Sequence, residues 1–197
     1  MNESAAIISE GFTDNERRQV ARMYWAAFGQ KLGRVMGPQD RAERFVEDAL
    51  DPTHAISARA QDGTLLGVAG FKSFDSALVG GTWRDLSRHY GWLGSAWRIG
   101  FLAMLERDTD NDRFLMDGIF VSEAARGMGV GTALLHAVCA EAKIRGYDEV
   151  RLDVIDSNPR ARALYERQGF VAGEVHRLGP LRHIFGFGAA TTMIRKT

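Results

Sequence analysis

The sequence predicts an α/β (α+β) domain built on a mixed β-sheet, and three observations carry that reading. Between Phe114 and Phe170 apolar strand-like runs alternate with helical ones, strand–helix–strand–helix, the order that places strands side by side in parallel. Upstream, His54 to Ala60 and Leu65 to Phe71 are joined by Gln61-Asp62-Gly63-Thr64, whose Asp-Gly pair is a strong signal for an antiparallel hairpin. A length of 197 residues, 45% of them hydrophobic, is enough to bury one core, so a single domain over 1–197 is expected.

The elements follow in order. Ala5 to Ile8 reads as a short first strand. Thr13-Asp14 then caps a helix to about Phe28, with Val20, Met23, Tyr24 and Phe28 at helical spacing. Gly29 to Pro38 reads as a glycine-punctuated connection, and a second helix, Gln39 to Leu50, ends before Pro52. After the hairpin the rhythm breaks from Asp75 to Asp112, where a short link would have sufficed. Trp83, Tyr90, Trp92, Trp97 and Phe101, with Leu86, Ile99, Met104 and Leu105, make this a helical insertion of two amphipathic helices. A lid or wall over a site, an extension of the core and a subunit interface are all open readings. Strand Phe114 to Val121, helix Val130 to Arg145, strand Glu149 to Ile155 and helix Pro159 to Gln168 come next. The tail supplies two more candidate strands, Val171 to Arg177 and Ile184 to Lys196, around Gly179-Pro180.

Composition narrows the partners. Lys and Arg number 25, as do Asp and Glu. No excess of positive charge is available for a nucleic-acid backbone or an anionic membrane, so neither is an expected partner. The one cysteine, Cys139, cannot form an internal disulfide, and its place among Leu135, Val138 and Ala142 marks it as a small buried residue of a reducing compartment. Met1 to Ser4 is polar and lacks the pattern of a secretion signal, and Trp92 to Leu105, interrupted by Arg98 and two glycines, falls short of the roughly 20 apolar residues of a membrane span. A cytoplasmic protein is expected.

The most informative stretch is Arg126-Gly127-Met128-Gly129-Val130-Gly131-Thr132, set between an apolar strand and a long helix. Glycines at alternate positions remove the Cβ atoms that would hold an anion off the backbone. The helix then aims its free N–H groups and positive dipole end at the same place. A diphosphate suits such a cradle. Two familiar Gly-rich motifs fail the spacing. Counting from Gly127, Thr132 stands where a dinucleotide fold needs its third glycine, and no Gly-Lys pair of a P-loop occurs in the chain. A turn that merely links strand to helix is the plain alternative.

Two further segments carry candidate chemistry. Asp117 interrupts the otherwise apolar strand Phe114 to Val121. By strand alternation it points the same way as Ile119 and Val121, so it is either hydrogen-bonded for structure or placed at the floor of a cleft, where desolvation would make it a base. In Asn158-Pro159-Arg160-Ala161-Arg162-Ala163-Leu164-Tyr165, Asn158 is a natural N-cap before Pro159, and Asn158, Ala161 and Tyr165 recur on one helical face. That face suits a flat or linear ligand, although Tyr165 also fits a core position.

Arg-x-x-Gly-x-Gly at Arg126, Gly129 and Gly131, followed by Asn-x-x-Ala-x-x-x-Tyr at Asn158, Ala161 and Tyr165, resembles the acyl-CoA-binding core of the GNAT superfamily of N-acetyltransferases. The likeness is detailed from about Phe114 to Phe170 and looser elsewhere, and the insertion departs from it. It implies a central, V-splayed sheet of six to seven strands flanked by helices, and transfer of an acetyl group from acetyl-CoA to an amine. It implies that the coenzyme diphosphate lies on Arg126, Gly127, Met128, Gly129, Val130, Gly131 and Thr132. The pantetheine arm would lie along Ile119, Phe120 and Val121 and against Asn158 and Ala161. Tyr165 would be the acid for the departing thiolate, and Asp117 a base for the amine. No metal is implied, and His54, His89, His136, His176 and His183 lack ligand spacing. An acyl-CoA-binding sensor and an acyl-CoA hydrolase are the rival classes. The acceptor amine is not legible: a small-molecule amine, an antibiotic and a peptide N-terminus all stay open, and a homodimer through the Trp-rich insertion is a further open reading.

Overall fold

The computed structural model describes residues 6–73, 76–105 and 113–197, with the side chains of 101–105 outside that description. Expectations for Met1 to Ser4, for a strand starting at Ala5, for the ends of the insertion at Asp75 and Asp112, and for the side chains of Phe101, Met104 and Leu105 lie outside the described residues.

One sheet organises the chain. Its strands are β1 (Ile7–Glu10), β2 (Ala55–Arg59), β3 (Leu65–Lys72), β4 (Phe114–Val121), β5 (Glu149–Ile155), β6 (Val171–Arg177) and β7 (Ala189–Lys196), in the spatial order β1-β2-β3-β4-β5-β7-β6. The β2–β3 hairpin turns at Asp62-Gly63, where Asp62 Oδ1 accepts the Thr64 N–H at 2.9 Å. All neighbours are antiparallel except β4 and β5, which are parallel and pair only at Phe114↔Val150 and Leu115↔Arg151. By contrast, β5 and β7 stay paired from Glu149↔Lys196 to Ile155↔Ala190. From Met116 onward β4 and β5 diverge, which is the V the resemblance implied.

Two hydrophobic clusters cover the two faces. On one face α4 (Val130–Ile144) buries Leu134, Leu135, Val138, Cys139 and Ala142 against Met116, Val150 and Leu152, with α5 (Pro159–Arg167) alongside. On the other, α1 (Arg17–Met36) and α2 (Gln39–Ala49) bury Val20, Trp25 and Phe45 against Val68 and Phe120. Each such side chain contributes about 1.5–3 kcal/mol when fully removed from water.

Apart from shifts of one or two residues, such as β1 ending at Glu10 and not at Ile8, two boundaries differ from the sequence reading. Helix α1 does not stop at Phe28 but continues through Gly29 and Gly33 to Met36. A Cβ at Gly29 would sit 3.0 Å from the Trp25 indole, so the glycine makes room for a ring lying over its own helix. Burial of Val35 and Met36 offsets the helix-weakening cost of glycine, about 1 kcal/mol each. In the tail, residues 184–188 are not strand. A single helical turn, α6 (Arg182–Phe185), and left-handed Gly186 swing Phe185 and Phe187 into the cluster beneath α1, and extended backbone resumes only at β7. Packing of two phenylalanines overrides local strand propensity there.

The insertion forms α3 (Trp83–Leu105), broken at Gly91, where φ is 69° and ψ 171°. Two helical segments therefore stand where two were expected. They are tied down: the Tyr90 hydroxyl donates to the Met36 carbonyl at 2.5 Å, and His89 Nε2 meets Asp48 at 2.8 Å. The Arg98 guanidinium lies 4.0 Å from the Tyr90 ring centroid and donates to Gly94 O at 2.8 Å. Trp92 and Leu93, just past the break, are 74% and 79% exposed. Among the described residues no helix is long and apolar enough to cross a membrane.

Candidate active site

The Gly-rich segment adopts the cradle its sequence suggested. After β4 the chain makes a 3-10 turn at Glu123–Ala125, stitched by Met128 N–H to Ala125 O at 3.3 Å. Gly127 and Gly129 then take φ of 84° and 77°, where a side chain would strain the backbone. The first helical hydrogen bond of α4 runs from Ala133 N–H to Gly129 O at 3.0 Å. The N–H groups of Val130, Gly131 and Thr132 thus precede the helical ladder and face outward at the positive end of the dipole. Val130 is buried and anchors the segment, whereas Met128 is 57% exposed. A Cβ at Gly131 would lie 3.5 Å from Leu164 and 3.9 Å from Val121, so the cradle meets both the end of β4 and helix α5. Arg126 reaches Glu123 at 3.3 Å on the open surface, a pair worth little in stability and able to turn toward an anion.

Beside this cradle the separated motifs converge. Tyr165 belongs to the same apolar cluster as Val130 and Leu134, with Ile119, Val121, Ala161 and Leu164 packed on it. Asn158 caps α5 as predicted, its Oδ1 accepting the Ala161 N–H at 3.1 Å. Burial pushes the Tyr165 hydroxyl up to about 12, so it stays protonated and can donate. Phe120 points to the opposite face, its ring 5.8 Å from Tyr24, which leaves only its backbone to line the split.

Asp117 needs a correction. Pairing of β3 with β4 runs Gly70↔Gly118 and then Phe71↔Met116, so Asp117 is the extra residue of a β-bulge. The bulge turns its carboxylate away from Ile119 and Val121, toward α1. There it lines a cavity of about 430 Å³ with Tyr24, Phe28, Lys31, Lys72 and Ile99. Strict alternation, assumed from sequence, fails because one strand carries one residue more than its partner. Gly118 sits directly under the Phe28 ring, where a Cβ would collide with it, so α1 closes down on the bulge.

Sequence reasoning missed Tyr24, Lys31 and Lys72 as site residues. Tyr24, Phe28 and Lys31 share one helical face, and a lysine on an apolar face was the available signal; ending α1 at Phe28 hid it. Burial lowers the Lys31 ammonium while the carboxylates of Asp153 and Asp117 raise it. These two acids belong to β5 and β4, the strands that border the split. Tyr24 is pushed up by burial and by the Asp117 charge. The split therefore has a phenol on the α5 face and a carboxylate with a lysine on the α1 face.

The histidines serve elsewhere. His54, 9% exposed, bridges Ser73 Oγ at 2.8 Å and Asp51 Oδ2 at 3.1 Å. This resembles a nucleophile relay, but Asp51 also accepts from Thr53 and Ser76, and the whole cluster ties the β3 end to the turn before β2. Among the described residues no three metal-ligating side chains come together.

A sheet split between β4 and β5, an amide cradle after β4 and a capped helix carrying a buried tyrosine define the acyltransferase class the motifs resemble. A profile of the acetyltransferase (GNAT) family matches residues 17–170, and the chain belongs to that family. Mycothiol acetyltransferase of Beutenbergia cavernae is 45% identical over 56 residues, a stretch covering 28% of this chain and 19% of that protein. An N-acetyltransferase structure from Staphylococcus aureus Mu50 superposes with a TM-score of 0.67 at 15% identity, covering 96% of this chain and 100% of the other. A Corynebacterium glutamicum structure, described as histone acetyltransferase HPA2 and related acetyltransferase, gives a TM-score of 0.66 at 19% identity over 96% and 95%. At these identities the structures speak for the fold alone.

Proposed function

We propose that the protein transfers an acetyl group from acetyl-CoA to the amine of a small acceptor within a ternary complex, as one domain. The observation that carries this is the split itself: Asp117 and Tyr165 lie on opposite faces of the sheet, and β4 and β5 part beyond Leu115↔Arg151, the gap we assign to the thioester. The outward N–H groups of Val130 to Thr132, with those of Gly127 and Gly129 and the side chain of Arg126, hold the donor diphosphate. Backbone of Ile119, Phe120 and Val121, left without a β5 partner, takes the pantetheine arm as an added strand, and a β4 N–H polarises the thioester carbonyl. Asn158 and Ala161 border the arm.

The acceptor nitrogen enters from the α1 cavity and attacks the carbonyl carbon. As the C–N bond forms and the C–S bond breaks, the amine proton passes to Asp117, directly or through water, and Tyr165 protonates the leaving thiolate. No enzyme nucleophile is needed, and burial raises the Cys139 thiol, which keeps it inert. The insertion contributes a wall of the acceptor cavity through Leu86 and Ile99. Calorimetric titration with acetyl-CoA should show binding, and free CoA thiol should appear only when an amine is supplied. Thiol release without amine would instead indicate a hydrolase.

A further inference from the structure

We infer that Phe28 sets the length of the acyl group the donor can carry, restricting it to acetyl and propionyl, by standing as a partition between the acyl end of the split and the cavity under α1. This rests on the transferase reading and specifies its donor.

Where the acyl end falls follows from the direction of the chain. The amide cradle lies past the C-terminal end of β4, and the last β4–β5 pair is Leu115↔Arg151. A donor with its diphosphate in the cradle and its arm along β4 therefore runs backward from Val121 toward Met116, a stretch of roughly 20 Å at about 3.3 Å per residue. Its thioester end meets the vertex of the V. There the strands pair again, so an acyl chain cannot continue in the plane of the sheet and has to leave by one face.

Toward α5 the way is filled by Tyr165, Leu152 and Val154, all buried in one apolar cluster. Toward α1 stands Phe28. Its ring comes down from α1 tip-first onto Gly118, so closely that a Cβ there would collide with it. Two neighbours brace it: Tyr24, with ring centroids 4.7 Å apart, and Phe120, 6.3 Å away, which in turn packs edge-on to Tyr24 at 5.8 Å. Rings that support one another in this way hold Phe28 over the β4 backbone. The same ring lines the cavity of about 430 Å³, so it separates that space from the vertex. An acetyl methyl ends short of the ring, whereas a longer chain has to enter the volume the ring fills. In a fixed apolar pocket one methylene changes selectivity by roughly 10- to 200-fold. Without the ring, the chain would have the cavity to grow into.

The test is calorimetric titration of the purified full chain with acetyl-, propionyl-, butyryl- and hexanoyl-CoA. The wild type should bind acetyl-CoA and propionyl-CoA within about threefold of each other and hexanoyl-CoA at least about tenfold more weakly. Phe28→Ala should bring hexanoyl-CoA level with acetyl-CoA or tighter, while the acetyl-CoA dissociation constant changes less than about threefold. Loss of a packed ring also lowers stability, so Phe28→Leu is the second variant: it keeps an apolar side chain, withdraws the ring tip from Gly118 and should give an intermediate ratio. The hexanoyl-to-acetyl ratio is the readout a merely structural role would not move, since general loosening weakens all the esters together. Hexanoyl-CoA bound as tightly as acetyl-CoA by the wild type, or a ratio unchanged in the variants, overturns the inference while leaving the transferase reading standing. No binding of acetyl-CoA by the wild type overturns both.

Discussion

The proposed donor side and the proposed acceptor side of the split are built from different materials. The donor side is mostly backbone: amides of the segment after β4 and the free edge of β4, contributed by a contiguous stretch of chain. The acceptor side is side chains: Tyr24 and Lys31 from α1, Phe45 from α2, Lys72 from β3, Leu86 and Ile99 from α3, and Asp117 from a bulge. A backbone site tolerates only glycine at certain points and so prints a spaced motif in the sequence. A side-chain site drawn from five elements can vary residue by residue and prints none. The same contrast explains why the chain is legible as an acetyltransferase of the GNAT family while its acceptor is not.

If that contrast is right, the largest single effect belongs to the donor side. Gly129→Val, at φ 77°, should strain the cradle and fill it, weakening acetyl-CoA binding by more than about 100-fold in calorimetry. Gly131→Ala, whose added methyl would have contacts no closer than 3.5 Å, should fold normally and cost far less, about tenfold or under. Equal losses in the two would mean that the amides are not the gripping groups.

Tyr165→Phe should come next, lowering kcat about 100-fold with the acetyl-CoA dissociation constant changed less than about threefold. Because burial holds the hydroxyl at about 12, the wild type keeps its acid protonated at any working pH below that value. The deficit should therefore be the same at pH 7 and pH 9. A deficit that shrinks between them would assign the proton to another group.

Asp117→Asn should act on the other side of the sheet. A drop in kcat/KM for the acceptor of about tenfold or more, with donor affinity intact, is expected from competition kinetics. Loss of acetyl-CoA binding in this variant would erase the distinction between the two sides.

The smallest effect should come from outside both. Glu16 takes a two-pronged bond from Arg59, 2.9 Å from Nε and 2.7 Å from Nη2, with both side chains under a fifth exposed. That bond holds the Glu16 carboxyl at about 2, against 4.5 when free. Stabilisation from the pair is then complete above pH 4.5 and fades as pH falls through 2. Glu16→Gln should lower unfolding free energy by about 2 kcal/mol at pH 7, progressively less toward pH 2, and leave both substrate affinities alone. Denaturant melts across pH give the check.

Where local signals dominated, elements and site residues were readable before any tertiary information. β4, β5 and β6 begin and end where expected, and Asn158 caps α5 with the bond its position predicted. Where a distant side chain decided a local conformation, reading failed. Trp25 lying over Gly29 extended α1, and burial of Phe185 and Phe187 bent the tail. Asp117 was found but aimed at the wrong face, since a bulge depends on how two strands register and not on either strand alone.

The sequence by itself determined the amide cradle, the capped tyrosine helix and the neighbouring strands, because positive-φ glycines, caps and periodicity act within a few residues. Only the tertiary structure decided which face Asp117 serves and that Lys31 stands beside it. It alone also showed that the insertion walls the cavity. Those facts depend on strand register and on packing between segments far apart in the chain, where no local rule reaches.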